Sequence, residues 1–214
     1  RAILERIISV DTGNEFITFE ITSVLPISVA KKYAGISASL VAHIKNTRTP
    51  FSIDFGVGDV IVPKQEKRKI PTQLNDFSSP MINTYSLETT IAEKIDAILS
   101  LMEFSSRMKD YYDIYYLANK FDFDGKILVD ALKRTFANRE HNFTVEQFEQ
   151  VMSFDADDLM QRKWKAFIKK IDAKTDDFSK VINTIDDFLR FPIETALNGT
   201  NFLMQWKASS NIWE

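Results

Sequence analysis

The sequence predicts an α+β protein, a small mixed or antiparallel sheet followed by a helical domain, with the join near Tyr85. Two observations predict it. Apolar residues alternate with polar ones in runs between Phe16 and Pro63, and recur at helical spacing from Ser86 onward. The bulk properties agree: 214 residues, 44% apolar and 27% charged, suit one or two globular domains with a sizeable core. The expected division is a sheet region over residues 1–85 and an α-helical domain over residues 86–214.

The elements follow in order. In RAILERIISV, Ile3, Leu4, Ile7 and Ile8 fall at helical spacing with no capping residue ahead of them, so the chain opens inside a helix. Phe16 to Leu25 alternates Phe-Ile-Phe-Ile with Thr-Glu-Thr until Pro26 closes it. Ile36 to Ile44 alternates likewise, and Phe51 to Pro63 is a third apolar run, interrupted by Gly56 and Gly58. The charged, proline-bounded stretch from Pro63 to Pro80 reads as a loop or an edge. Helical periods then run through SLETTIAEKIDAILSLM, RMKDYYDIYYLANK, GKILVDALKRTF, TVEQFEQVM and DADDLMQRKWKAFIKK. Ser86, Thr144 with Gln147, and Asp155 with Asp158 are the candidate caps.

Composition excludes several classes of function. There are 27 Lys and Arg against 30 Asp and Glu, a net charge of −3, so no global basic field draws the protein to nucleic acid. The absence of cysteine removes disulfides, thiolate metal sites and a cysteine nucleophile, and fits a reducing, cytoplasmic setting. The six glycines form neither of the common phosphate-binding glycine loops. No apolar run approaches the roughly 18 residues of a membrane span, so no membrane partner is expected.

The informative residues are ionisable groups on apolar faces. Winding Leu87 to Met102 at about 100° per residue gathers Leu87, Ile91, Ile95, Ile98, Leu99 and Met102 into one arc. Lys94 falls inside that arc and Glu88 at its first turn, whereas Glu93 and Asp96 point away. On the next helix, Asp110 points between Ile114 and Leu117 and Asp113 lies at the border, with Lys109 and Lys120 on the polar face. A lysine in an apolar arc snorkels, pairs with a carboxylate or faces an anionic ligand. Lys94 and Asp110 therefore read as a buried ion pair between helices, as a phosphate-binding cleft, or as both. In the third strand, Asp54 opposes the face of Ile53 and Phe55, and Asp59 follows Gly58. These carboxylates suit Mg²⁺, which prefers oxygen ligands; Asp59 equally suits a turn.

Together, IDFGVGDVIVP, SLETTIAEKIDAI and RMKDYYDIYYL resemble the AbiEii/AbiGii-type nucleotidyltransferase toxins, part of the DNA polymerase β-like nucleotidyltransferase superfamily. The resemblance is strongest from Phe51 to Leu117 and extends weakly through FPIETAL and the spaced Trp206 and Trp213. It implies that the sheet region belongs to a nucleotidyltransferase-like core. It also implies that Asp54, with Asp59 beside it, serves the metal site, and that Lys94 meets the triphosphate. Asp110 and Asp113, with Arg107 and Lys109, would form the acidic and basic cluster of the next helix. The implied activity is Mg²⁺-dependent transfer of a nucleotide from an NTP to an RNA acceptor, such as a tRNA 3′ end. The implied partner is an antitoxin of winged-helix type.

One part of the family pattern is missing. A Gly-Gly or Gly-Ser helix start followed by Asp-x-Asp is expected ahead of Arg1, within about 80–100 further residues of a domain of ordinary size, unless the protein is a decayed relative. Asp122-Phe-Asp124 and Asp155-Ala-Asp157 lack the glycine lead and read as caps and turns. Without the first carboxylate pair a two-metal transfer is incomplete, so this chain alone is expected to be inactive.

Two other readings compete. Arg134 and His141 have the loose spacing of HEPN-type ribonucleases, in which His and Arg support attack by a 2′-hydroxyl. Alternatively the chain is a non-catalytic part that binds RNA or the antitoxin. In that case Arg162, Lys163, Lys165, Lys169 and Lys170 would contact the backbone while Trp164 and Phe167 stack a base, unless this helix is simply packed with a solvated basic face.

Overall fold

A computed structural model describes residues 1–11, 13, 16–27 and 35–214. The chain divides into two compact units, Arg1–Asp59 and Val60–Glu214.

In the first unit, helix α1 (Ala2–Ile8) is followed by β1 (Ile17–Pro26), β2 (Ile36–Ile44) and β3 (Thr47–Phe55), an antiparallel sheet in the order β1-β2-β3. The register sets Ile21 opposite Leu40 and Leu40 opposite Phe51, so the apolar alternation lands on one face. Leu4 of α1, Ala38 and Leu40 form the small core there, with Ile8, Ile21, Val24 and Phe51 packed around it. The third strand lies earlier than its apolar run suggests. The β2–β3 hairpin turns at Lys45, which takes φ 50°, and pairing begins at Thr47. It stops at Phe55, opposite Ile36 where β2 itself begins, and Gly58 at φ 95° then leads the chain away.

The second unit opens with a two-stranded antiparallel hairpin, β4 (Glu66–Lys69) with β5 (Met81–Thr84), so part of the expected loop is paired strand. Helices α2 (Leu87–Leu101), α3 (Met108–Lys120), α4 (Gly125–Asn138), α5 (Val145–Met152), α6 (Asp158–Ile171) and α7 (Phe178–Asn198) follow. Short strands β6 (Phe123–Asp124), β7 (Gln205–Lys207) and β8 (Ile212–Trp213) form a small antiparallel sheet.

Caps set most helix starts. Ser86 accepts from the Thr89 amide, and Thr144 with Gln147 closes a full capping box. At α6 the cap is Asp157, whose carboxylate accepts from the amides of Leu159 and Met160. The expected cap, Asp155, lies in a preceding 3-10 turn instead. Asp124 caps α4, and Asp122 accepts from the Ala208 amide, so both Asp-x-Asp pairs serve caps and turns. The helix missing from the sequence pattern is α7. It carries Pro192 in its interior, which removes a backbone donor, and yet Phe178, Val181, Ile185, Phe188, Leu189 and Ile193 are all buried in the core. Among the described residues no helix is long and apolar enough to cross a membrane.

Candidate anion-binding site

The site is assembled by α2 and α3. Lys94 interrupts the apolar side of α2, where Ile91, Ile95, Ile98 and Leu99 are buried. Its ammonium lies 3.1 Å from Asp110 Oδ1 and 2.5 Å from Asp113 Oδ2. Asp110 is almost wholly buried, and its second oxygen accepts from Arg107 Nε at 2.6 Å. Asp113 also takes Lys109 at 2.5 Å. Both carboxylates sit in the first two turns of α3, where the exposed amide ends of the helix favour negative charge. Burying one carboxylate this deeply is tolerable only with both oxygens partnered by cations, and here they are. Half-buried Glu88, at the first turn of α2, is the other ionisable group of that arc; burial pushes its carboxyl above the ordinary range.

A concavity of about 230 Å³ opens over this cluster, lined by Tyr85, Thr90, Glu93, Lys94, Ala97, Arg107 and Arg139. Of the expected nucleotide-binding residues, Lys94 and Arg107 line it. Lys109 does not line it and instead holds Asp113.

The sequence pattern misplaces Asp96 and overlooks Arg139. Asp96 belongs by spacing to the polar side of α2, but it is fully buried, because α2 packs against α4 on that side. Its oxygens accept from Arg139 Nη1 at 2.6 Å and from His141 Nδ1 at 2.8 Å. Arg139 also pairs with Glu93. Burial raises the Asp96 carboxyl above its usual range, and the His141 hydrogen bond and charge pull it back. The available signal was complementary spacing: Glu93 and Asp96 three apart on one helix, Arg139 and His141 two apart at the end of another.

Asp54 and Asp59 belong to the first unit. Asp54 is the next-to-last residue of β3, exposed and in register with Ser37. A Cβ built on Gly56 would come 3.3 Å from Asp59 Oδ2, so the Asp59 carboxylate lies close over the glycine backbone. Among the described residues no group of three or more His, Asp or Glu side chains could hold a metal. The carboxylates of the α2–α3 cluster are already matched to ammonium and guanidinium groups and do not fit a divalent cation.

The competing constellations take other forms. Arg134 pairs with Asp130 on its own helix and lines a larger concavity of about 720 Å³, whereas His141 bonds to Asp96. On α6, Trp164 is buried and cannot stack a base, and Lys163 donates to the backbone carbonyls of Glu103 and Ser105. Arg162, Lys165, Lys169 and Lys170 remain exposed along that helix.

The family model described as nucleotidyl transferase AbiEii toxin, type IV toxin–antitoxin system, matches residues 1–190. No curated protein and no solved structure matches the chain.

Proposed function

Because the chain belongs to the AbiEii nucleotidyl transferase toxin family, we propose that it serves nucleotidyl transfer from a nucleoside triphosphate to an RNA acceptor, under control of an antitoxin. The observation that carries this reading within the chain is the placement of Lys94. Its ammonium is fixed between two carboxylates of the next helix and lines a concavity beside Arg107.

Ammonium and guanidinium groups so held suit phosphate oxygens. Their orientation is set before the ligand arrives, so little reorganisation opposes the growth of negative charge on the departing pyrophosphate. Lys94 and Arg107 bind and orient the phosphates; Asp110 and Asp113 hold those cations in place. Lys109 supports the site through Asp113. Mg²⁺ is commonly held by one or two carboxylates together with substrate phosphates, and when bound it would supply charge neutralisation at the reacting phosphate. Asp54, with Asp59, would be the carboxylate that holds it, since those of the α2–α3 cluster are matched to cations of the chain.

The test is label transfer by the full-length gene product. With Mg²⁺, α-labelled triphosphates and total RNA, labelled RNA is expected for at least one nucleotide. Lys94→Gln is expected to lower the yield by about 100-fold, the scale of one preorganised charge-stabilising group. Absence of labelled RNA under all four nucleotides, from protein shown to be folded, overturns the reading.

A further inference from the structure

The concavity over α2 and α3 contains a residue that the sequence pattern and the family resemblance both leave unassigned. Arg139 follows the last turn of α4, where its backbone amide donates to Thr135, and its side chain lines the same wall as Lys94 and Arg107. Three cations therefore face one small space, with Glu93 the carboxylate among the lining residues. The balancing carboxylates lie behind them: the side chains of Asp96 and Asp110 are 1% and 4% exposed. Positive groups in front and buried carboxylates behind is the order that presents donors outward to an anion.

The two acids that touch Arg139 differ in kind. Asp96 is locked, because burial makes an unpaired oxygen costly and its second oxygen is held by His141. Glu93 is less deeply buried, 17% exposed against 1% for Asp96, and lines the concavity. Arg139 gives Nη1 to Asp96 and Nη2 to Glu93, so the two acids hold different nitrogens of one planar fork. An incoming phosphate would take the place of Glu93 and leave Asp96 where it is.

We propose that Arg139 is a third phosphate-binding cation of this pocket, aimed into it by Asp96 and screened in the empty state by Glu93. The ligand chemistry is a di- or triphosphate group, because one phosphate could not engage three separately anchored cations as fully. Arg139 thus acts on the ligand directly, Asp96 is a positioning residue, and Glu93 sets the affinity by competing for the guanidinium. The proposal rests on the nucleotidyl-transfer reading and extends it.

The experiment is calorimetric titration of the whole chain with inorganic pyrophosphate, with thermal melting of every variant. Wild type is expected to bind. Arg139→Gln is expected to weaken binding by about tenfold or more, the scale of one charge-assisted hydrogen bond, with Arg139→Lys recovering part of the loss. Glu93→Gln is expected to tighten binding several-fold even if it lowers the melting temperature. A purely structural Arg139–Glu93 pair would not produce that tightening. If folded Arg139→Gln binds like wild type, the proposal fails. Should Arg139→Gln not fold, the Glu93→Gln arm decides, and unchanged or weaker binding overturns it. Loss of binding in Lys94→Gln but not in Arg139→Gln would sink this assignment and spare the broader reading. A wild-type chain that binds neither pyrophosphate nor any NTP sinks both.

Discussion

Tyr115 of α3 donates its phenolic hydrogen to the Asp176 carboxylate, an acid that also takes Lys180. The Tyr115 hydrogen bond holds the Asp176 carboxyl below its ordinary range, with Lys180 adding to it, while burial and Asp176 push the phenol up to about 12. The signs give a window. The depressed carboxylate stabilises the fold above its unfolded value of 3.8, and that contribution is lost as pH falls through the folded value. The raised phenol stabilises it below 10.0, and that contribution is lost as pH rises toward 12. Tyr115→Phe is therefore expected to cost about 0.5–1.5 kcal/mol near neutral pH, with the gap to wild type narrowing below about pH 4 and above about pH 10. Urea unfolding across that range measures it, and a gap independent of pH would refute the assignment. At this scale the sequence showed Lys94, Asp110 and Asp113 because a charge on an apolar arc is visible in the spacing. Asp96 escaped because it lies on the polar side of α2, and only the arrival of α4 buries it. A single helix pattern carries no information about which second helix will cover its polar side.

Capping tests how local sequence sets an element. Asp157 satisfies two otherwise unpaired amides at the start of α6, whereas Asp155 belongs to the preceding turn. Asp157→Ala is expected to cost about 1 kcal/mol and Asp155→Ala less than about 0.5 kcal/mol. A reversed order in denaturation midpoints would return the cap to Asp155. The two residues differ by two positions, and a DADD run offers each of its acids as a cap; which one serves depends on where the 3-10 turn from Phe154 ends. The same limit explains the other misses. Helices α2 to α6 were legible because each buries one stripe, but α7 is buried along much of its length and crosses Pro192, so period and breaker gave opposite signals. The β4 strand is four charged or polar residues, EKRK, and only its pairing with β5 makes it a strand.

For the whole molecule, the partition of buried surface decides what can fold alone. The core of the second unit runs from Val62 through α2 to α7 to Trp206, with Trp213 packed on it. The first unit buries Leu4, Ala38 and Leu40 with four partly buried neighbours. Ordering a residue costs on the order of 1.5 kcal/mol, so the small core described there is weak support for a unit of that length, while the larger core is ample for its own. A fragment spanning Val60–Glu214 is expected to keep a helical circular dichroism spectrum and one cooperative melt, and a fragment spanning Arg1–Asp59 is expected to melt without cooperativity. Loss of helix or of a sharp transition in the longer fragment would show that its core depends on the residues removed. The division also separates the two proposed roles. Lys94, Arg107, Asp110, Asp113 and Arg139 all lie in the longer fragment, and Asp54 and Asp59 do not. If that fragment binds pyrophosphate as the whole chain does, anion recognition is a property of the helical unit. Any contribution of Mg²⁺ through Asp54 must then appear only when the first unit is present. Equal stimulation of pyrophosphate binding by Mg²⁺ in the fragment and in the whole chain would instead remove Asp54 from the metal assignment, leaving the cation pocket untouched.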